Sequence, residues 1–351
     1  MNFDKKTTGI IKGIALILMF VHHFFGFPEW ISAGNSFISL PVGNMTTAYY
    51  FGRFGNICVA MFMFLTGYGV YFSYRKGKCL RYSLKKIFTF LAQYWILLFT
   101  FFIPVEYFCG MRDYSVSVIL SEMFALTSRI VNFAWYVRFY VLAMLSLPLL
   151  KKLFCISEGF KTVSIFVYWT LCFVLRKIAQ TVDMGTFYIV AEEYLRFMPT
   201  VILGYLAAEH GYMGKLGRLF GRLRMNNLPG GLLICAVIFV LRVKFLKETY
   251  TYLPSTDFVL VPFFIYGLTV IINSAKVGFV EKILLVVGAN SMNLWFLQSV
   301  FYGSTSRLQF IAYIPKISVA IVIWSLICLI PVSWIYNKIF ALIFSRRGDK
   351  K

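Results

Sequence analysis

The sequence predicts an all-α polytopic membrane protein with about ten transmembrane helices. Its 351 residues are 60% hydrophobic and only 14% charged, with a mean hydropathy of +0.75. A soluble domain of this length needs far more polar surface. The net charge of +21 comes from basic residues in short clusters between apolar runs. Such clusters are typical of cytoplasmic loops, so we expect no nucleic-acid partner.

Ten apolar runs are long enough to form spanning helices. They cover residues 8–27, 54–74, 87–108, 133–154, 162–178, 187–208, 229–246, 257–274, 282–303 and 314–342. With the N-terminus in the cytosol, roughly two thirds of the lysines and arginines fall on the cytosolic side. The charge distribution therefore predicts a multi-pass protein of the cell (plasma) membrane with both termini in the cytoplasm. We expect one integral membrane domain, residues 1–351, whose first run is a retained helix and not a cleaved signal peptide.

Cysteine and histidine patterns favour neither a disulfide framework nor a metal site. The seven cysteines are scattered and none forms a CxxC pair. Of the three histidines, His22 and His23 are adjacent and His210 lies in a predicted cytosolic loop. The sequence also lacks a phosphate-binding glycine loop and a serine-hydrolase elbow. We therefore expect no metal and no bound cofactor.

The first apolar run contains the most unusual stretch, KGIALILMFVHH, from Lys12 to His23. In a helix these two residues lie on one face, about three turns and roughly 16 Å apart, whereas His22 points away. In one interpretation Lys12 reaches the cytosolic headgroups and the histidines bond to neighbouring helices. In the other, an ionisable residue inside the membrane marks a functional site, because burying it is costly. We favour the functional interpretation for His23 and a structural one for His22.

The second run ends in a small-residue patch and a basic cluster. Thr66, Gly67 and Gly69 form the patch, which permits close approach of a neighbouring helix. The cluster that follows comprises Arg75, Lys76, Lys78, Arg81, Lys85 and Lys86. Such a cluster is most simply a topology signal that also binds anionic lipid. Alternatively, Arg81, Lys85 and Lys86 bind the phosphates of a cytosolic donor.

Charged residues also enter the sixth run. Glu192 and Arg196 are i, i+4 neighbours, and Glu193 and Arg196 are i, i+3 neighbours. They form either an ion pair within the helix at the outer interface or a cleft that binds sugar hydroxyls. Ser291, in the ninth run, is a further candidate hydrogen-bonding residue for an acceptor, although small polar residues in helices often simply pack.

Several of these stretches, in this order, resemble the membrane acyltransferase-3 family. KGIALILMFVHH resembles the family's opening motif, an arginine followed by ten residues and a histidine. GNICVAMFMFLTGY at 55–68 is similar to its second-helix glycine and phenylalanine stretch. Looser similarities are found in FAWYV at 133–137, RFMPTVILGYLAA at 196–208 and VGANSMNLWFLQSVF at 287–301.

Three residues depart from the family's pattern. Lys12 stands where arginine is usual, which keeps the charge but loses the bidentate fork. Thr66 replaces the usual serine. Gln298 stands where a histidine is common, so a titrating role at that position is not expected here.

The resemblance implies a membrane-bound O-acyltransferase. Such an enzyme moves an acyl group, usually acetyl, from cytosolic acetyl-CoA to a hydroxyl of a cell-surface carbohydrate or lipid-linked glycan. Acetyl-CoA would be a donor substrate and not a bound cofactor, and membrane lipids would surround the chain. His23 would act as a general base or carry the acyl group itself. Lys12 would orient the donor or stabilise developing negative charge.

A transporter is the rival class of protein. Ten helices with buried ionisable residues also describe a proton-coupled transporter or flippase, with His23 as a proton relay. A non-catalytic membrane partner is a third possibility. Against transport, the sequence shows no repeated halves and no pair of clearly broken helices.

Overall fold

The computed structural model describes residues 3–110, 114–153, 158–181, 186–245, 253–275, 278–302 and 306–345. Almost all of these residues are helical, which confirms the all-α class. The α-helices are α1 (Lys5–Phe25), α2 (Thr47–Gly55), α3 (Ile57–Tyr74), α4 (Cys79–Leu97), α5 (Ile103–Phe108), α6 (Val116–Met123), α7 (Trp135–Leu153), α8 (Glu158–Thr181), α9 (Thr186–Glu209), α10 (Tyr212–Arg222), α11 (Leu228–Val240), α12 (Leu253–Ala275), α13 (Gly278–Ala289), α14 (Ser291–Leu297), α15 (Gln309–Tyr313) and α16 (Ser318–Ser345). Two short strands, β1 (Pro41–Val42) and β2 (Met45–Thr46), pair antiparallel before α2.

Six helical stretches in the described residues are long and apolar enough to cross a membrane. They are Lys5–Phe25, Thr47–Tyr74, Cys79–Phe108, Val163–Thr181, Thr256–Ala275 and Ser318–Phe344. The pair α13 and α14 passes the same test as a seventh, bent span. Every run that the sequence assigned to a span contains helix, but the others do not meet both conditions of length and apolar composition within the described residues. Membrane insertion is thus supported, and the count of ten stays a prediction.

The ninth run is broken at Asn290, where the two helical parts meet at 68°. The Asn290 side chain accepts hydrogen bonds from Ser333 Oγ at 2.7 Å and Asn337 Nδ2 at 2.8 Å. Asn293 donates to Asn337 Oδ1 at 2.9 Å. This network joins α14 to α16 and satisfies polar groups at the break. The sequence did not predict this break. The described residues contain one such bent pair, whereas a transporter typically has two broken helices.

The chain divides into two compact units. Unit 1 comprises Met1–Ile11, Ile57–Thr89 and Arg138–Glu281, and unit 2 comprises Lys12–Asn56, Phe90–Val137 and Lys282–Lys351. The core of unit 1 is built around α3, where Cys58, Met61 and Phe64 are fully enclosed. Within unit 1, a bidentate ion pair between Arg242 and Asp257, both buried, ties the turn after α11 to α12.

Helices α3 and α9 of unit 1 cross at two glycines. A Cβ atom added to Gly67 would lie 1.8 Å from the carbonyl oxygen of Val201, and one on Gly204 would lie 2.0 Å from that of Phe64. Both obstacles are backbone atoms, so the helices would have to move apart. The predicted small-residue patch is therefore a helix contact at Gly67. Gly69 meets nothing within 4 Å and takes no part in it.

This difference gives a matched pair of substitutions. We expect Gly67→Ala to destabilise the protein by about 1–3 kcal/mol, because the added methyl group overpacks the crossing. Gly69→Ala should be neutral or slightly stabilising, since alanine has the higher helix propensity. Thermal unfolding of both variants in the same detergent measures the difference. Equal stability of the two variants would contradict the crossing described here.

In unit 2 the C-terminal part of α1 packs against α2 and α15. The core of this unit is aromatic, with Phe20, Phe24, Phe102 and Phe296 all less than 3% exposed. Tyr313 on α15 donates a hydrogen bond to the carbonyl of Phe24, 2.7 Å away. This contact fixes the end of α1, where the two histidines lie.

Candidate active site at the end of the first helix

His22 and His23 lie in the last turn of α1 and have different surroundings. His22 is buried, and its Nδ1 lies 2.7 Å from the carbonyl oxygen of Gly52 on α2. Only a glycine fits there, because a Cβ on Gly52 would lie 2.4 Å from the Gly26 nitrogen. This is the interhelical hydrogen bond that the structural interpretation of His22 predicts.

His23 points into an aromatic enclosure within unit 2. Its imidazole stacks on Phe133, with ring centroids 4.4 Å apart and planes 15° from parallel. Tyr302 contacts it edge-on at 4.7 Å. The ring is only partly exposed, and Nδ1 is enclosed without a hydrogen-bond partner among the described residues. An imidazole held by its faces, with a ring nitrogen left unpaired, is suited to exchange a proton with a bound molecule.

Gln298 lies beside the His23 ring, but no hydrogen bond joins the two side chains in the described part of the chain. It is fully buried at the end of α14, and its amide nitrogen donates weakly to the Trp295 carbonyl at 3.4 Å. Its Oε1 has no partner among the described residues. Gln298 stands at the position where the family commonly has a histidine. Its amide lies beside His23 but cannot titrate.

Lys12 lies at the opposite end of the same helical face. The residues between it and His23 on that face, Ala15, Leu16 and Met19, are all at most 1% exposed. Lys12 itself is exposed. Because α1 continues unbroken from Lys5 to Phe25, the two residues share a face as the spacing predicts. Lys12 is thus placed to reach a headgroup or a donor, and not to touch the imidazole.

A polar cavity of about 350 Å³ opens next to the His23 enclosure in unit 2. Tyr302 belongs to both, since one ring edge packs against His23 and the side chain also lines the cavity. The other polar residues that line it are Glu106, Arg129, Asn132, Ser299, Ser306 and Arg307. None of them is among the candidate site residues that the sequence predicts. A cavity of this size, with a few polar groups beside a candidate base, has the properties of a substrate site.

Glu122 holds the wall of this cavity in place. Its carboxylate, which is fully buried, accepts from Thr127 Oγ1 at 2.7 Å and from the backbone N–H groups of Arg129 at 3.1 Å and Val131 at 3.0 Å. Burial raises the pKa of the Glu122 carboxyl, and the hydrogen bonds that it accepts oppose the shift. The segment fixed in this way continues to Phe133, the ring that stacks on His23.

The charged cluster of the sixth run lies in unit 1 and is bonded across helices. The predicted Glu192–Arg196 pair is present at 2.9 Å. Glu193 forms no ion pair with its i, i+3 neighbour Arg196 among the described residues, and instead forms a bidentate pair with Arg138 on α7, at 2.6 and 3.0 Å. Arg176 on α8 also reaches Glu192, at 2.7 Å. These ion pairs connect α7, α8 and α9.

The remaining candidates are exposed or outside the cavity. Arg81, Lys85 and Lys86 are all exposed in the first half of α4, in unit 1. Lys86 lies over the Tyr82 ring at 5.7 Å. Ser291 begins α14, is partly exposed, and does not line the cavity described above.

The fold and this site define an integral membrane protein with an enclosed histidine beside a polar cavity. The family model described as an acyltransferase domain, that of the acyltransferase-3 family, matches residues 9–338, so the chain belongs to this family. No curated protein and no solved structure matches the chain. The family match confirms the resemblance found in the sequence and favours an acyltransferase over a transporter.

Proposed function

We propose that this acyltransferase is an O-acetyltransferase that uses cytosolic acetyl-CoA and a hydroxyl of a cell-surface or lipid-linked carbohydrate. The observation that carries the proposal is the enclosure of His23 by Phe133 and Tyr302, with Tyr302 shared by the polar cavity. A hydroxyl bound in that cavity would be next to the imidazole. The experiment that tests the proposal compares the transfer of labelled acetyl groups by the wild type and by His23 variants.

In the chemistry that we propose, His23 removes the proton from the acceptor hydroxyl as its oxygen attacks the thioester carbonyl. The C–O bond forms, the C–S bond breaks, and the proton passes from the imidazole to the departing thiolate of CoA. Alternatively, an imidazole nitrogen attacks the thioester carbonyl and the C–S bond breaks to release the CoA thiolate. The acceptor hydroxyl then attacks the acyl carbon, the C–N bond breaks, and the hydroxyl proton passes to the freed imidazole. Gln298 would hold the imidazole in either route, because it is the polar side chain beside the ring.

We assign the acceptor to the cavity in preference to the Glu192, Glu193 and Arg196 cluster. The two carboxylates of that cluster are occupied by arginines from other helices of unit 1. Their proposed role as acceptor contacts therefore requires breaking partly buried ion pairs, which is costly. The cavity residues offer hydroxyl, amide and guanidinium groups without that cost.

For the donor, we propose that Arg81, Lys85 and Lys86 bind the phosphates of acetyl-CoA. All three are exposed, and Arg81 and Lys85 share a face of α4. Replacing all three by glutamine should raise the KM for acetyl-CoA several-fold with kcat largely kept, because uniform binding is lost. The matched control is Arg75, Lys76 and Lys78 replaced by glutamine, which removes the same charge from the neighbouring exposed turn. An unchanged KM for acetyl-CoA in the correctly inserted Arg81, Lys85 and Lys86 variant would reduce the cluster to a topology signal.

We further propose that the chain lies in the cell membrane with both termini in the cytoplasm. The positions of the basic residues support this orientation. Single cysteines introduced near residues 80 and 120, in an otherwise cysteine-free chain, should be labelled from opposite sides by a membrane-impermeant maleimide. Labelling of both positions from outside intact cells would overturn the orientation.

A further inference from the structure

The cavity beside His23 carries an excess of positive charge. Two arginines, Arg129 and Arg307, line it together with one carboxylate, that of Glu106. Both arginines are exposed, so their guanidinium groups are accessible from the cavity. Neutral hydroxyl and amide groups from Asn132, Ser299, Tyr302 and Ser306 complete the polar lining. Binding of a neutral sugar would require only these neutral groups and not the two arginines.

The two arginines are positioned without being neutralised. Arg307 donates from Nη1 to the carbonyl oxygen of Cys109 at 2.7 Å, which fixes the side chain and leaves its other N–H groups unused by that bond. Arg129 is held through its backbone by Glu122, and its guanidinium forms no ion pair with any residue in the described part of the chain. Glu106 Oε2 accepts a hydrogen bond from the Tyr114 hydroxyl at 2.8 Å.

We propose that the acceptor is an anionic glycan, whose carboxylate or phosphate binds Arg129 and Arg307 while a neighbouring hydroxyl reaches His23. This inference rests on the proposed function and names the class of its acceptor. Guanidinium groups bind carboxylates and phosphates through two parallel hydrogen bonds, which makes arginine the preferred residue for such groups. Tyr302, which touches both the cavity and the imidazole, connects the anion site to the reacting hydroxyl.

Direct binding of small probes tests this proposal without requiring turnover. The probes are 4-nitrophenyl β-D-glucuronide for the carboxylate, α-D-glucose 1-phosphate for the phosphate, and 4-nitrophenyl β-D-glucoside as the neutral reference. Saturation-transfer NMR on the purified full chain in detergent gives the Kd of each. We expect at least one anionic probe to bind about ten-fold or more tightly than the glucoside. Its affinity should fall with added salt, as for an exposed charge interaction.

Variants of the two arginines locate the binding. Arg129→Gln and Arg307→Gln should each remove most of the preference for the anionic probe and leave glucoside binding unchanged, whereas Arg129→Lys and Arg307→Lys should retain part of it. Lys316→Gln is the charge-matched control, since Lys316 is an exposed cation of unit 2 that does not line the cavity. Equal binding of all three probes to the wild-type protein would overturn the proposal, as would an unchanged preference in both glutamine variants. Neither result would contradict the proposed function, because the acetyl-transfer assay tests that function independently.

Discussion

His23→Ala should reduce acetyl transfer by about 10²–10⁴-fold, because that is the usual contribution of a positioned general base. The variant should still insert and fold. His23 makes ring contacts with Phe133 and Tyr302, but its Nδ1 holds no structural hydrogen bond among the described residues. The measurement is transfer of labelled acetyl groups to cell-surface glycan, normalised to the amount of the protein in the membrane.

His22→Ala is the neighbouring control. It removes a hydrogen bond to Gly52 and should lower stability modestly while keeping much of the activity. Lys12→Arg should retain activity, since the charge is preserved, and Lys12→Ala should lose most of it. If His23→Ala transfers acetyl groups as well as the wild type, the chemistry proposed here is wrong.

Gln298 would have a supporting role in the chemistry that we propose. It lies beside His23 but cannot accept a proton near neutral pH, so it would be a positioning residue. Its contribution would therefore be smaller than that of the imidazole.

The sequence predicted the features that depend on local spacing. Lys12 and His23 share a face because one unbroken helix carries both, and the i, i+4 pair of Glu192 and Arg196 is present for the same reason. Gly67 lies at a helix crossing, as a small residue in an apolar helix suggests. In each case the relevant geometry is set by about one to three turns of a single helix.

Features that depend on which helices become neighbours were not predicted. The partners of Glu192 and Glu193 include Arg176 and Arg138, which lie on other helices. No periodicity within one segment can indicate such a pairing. The cavity residues Arg129 and Arg307 come from separate segments outside the regular helices, so nothing in the sequence joins them.

Glu122 is a residue whose structural role the sequence could have indicated. It stands alone among apolar residues in VSVILSEM, and a carboxylate in such surroundings requires hydrogen-bond donors. The sequence could not show that the donors come from the next few residues. The structure supplies them from Thr127, Arg129 and Val131.

Glu122→Ala should be strongly destabilising and should also impair activity. The substitution leaves the Thr127 hydroxyl and two backbone N–H groups without their acceptor, in a setting that is buried at Val131 and partly buried at the other two. Each unsatisfied buried donor costs about 1–3 kcal/mol, so the combined loss is about 3 kcal/mol or more. Because the segment that these bonds fix continues to Phe133, its loosening would also release one face of the His23 ring. Thermal unfolding of the detergent-solubilised protein, with the acetyl-transfer rate measured on the remaining folded fraction, reports both effects.

Glu122→Gln tests the same contacts at constant shape. Its amide keeps one acceptor oxygen but turns a donor towards groups that themselves donate, so it should lose less stability than alanine and still fall below the wild type. Glu29→Ala is the control, since Glu29 is an exposed carboxylate of unit 2, and it should leave unfolding unchanged. Wild-type stability and activity in Glu122→Ala would show that the cavity wall is held by other contacts. The positions of Arg129 and Phe133 would then need another explanation.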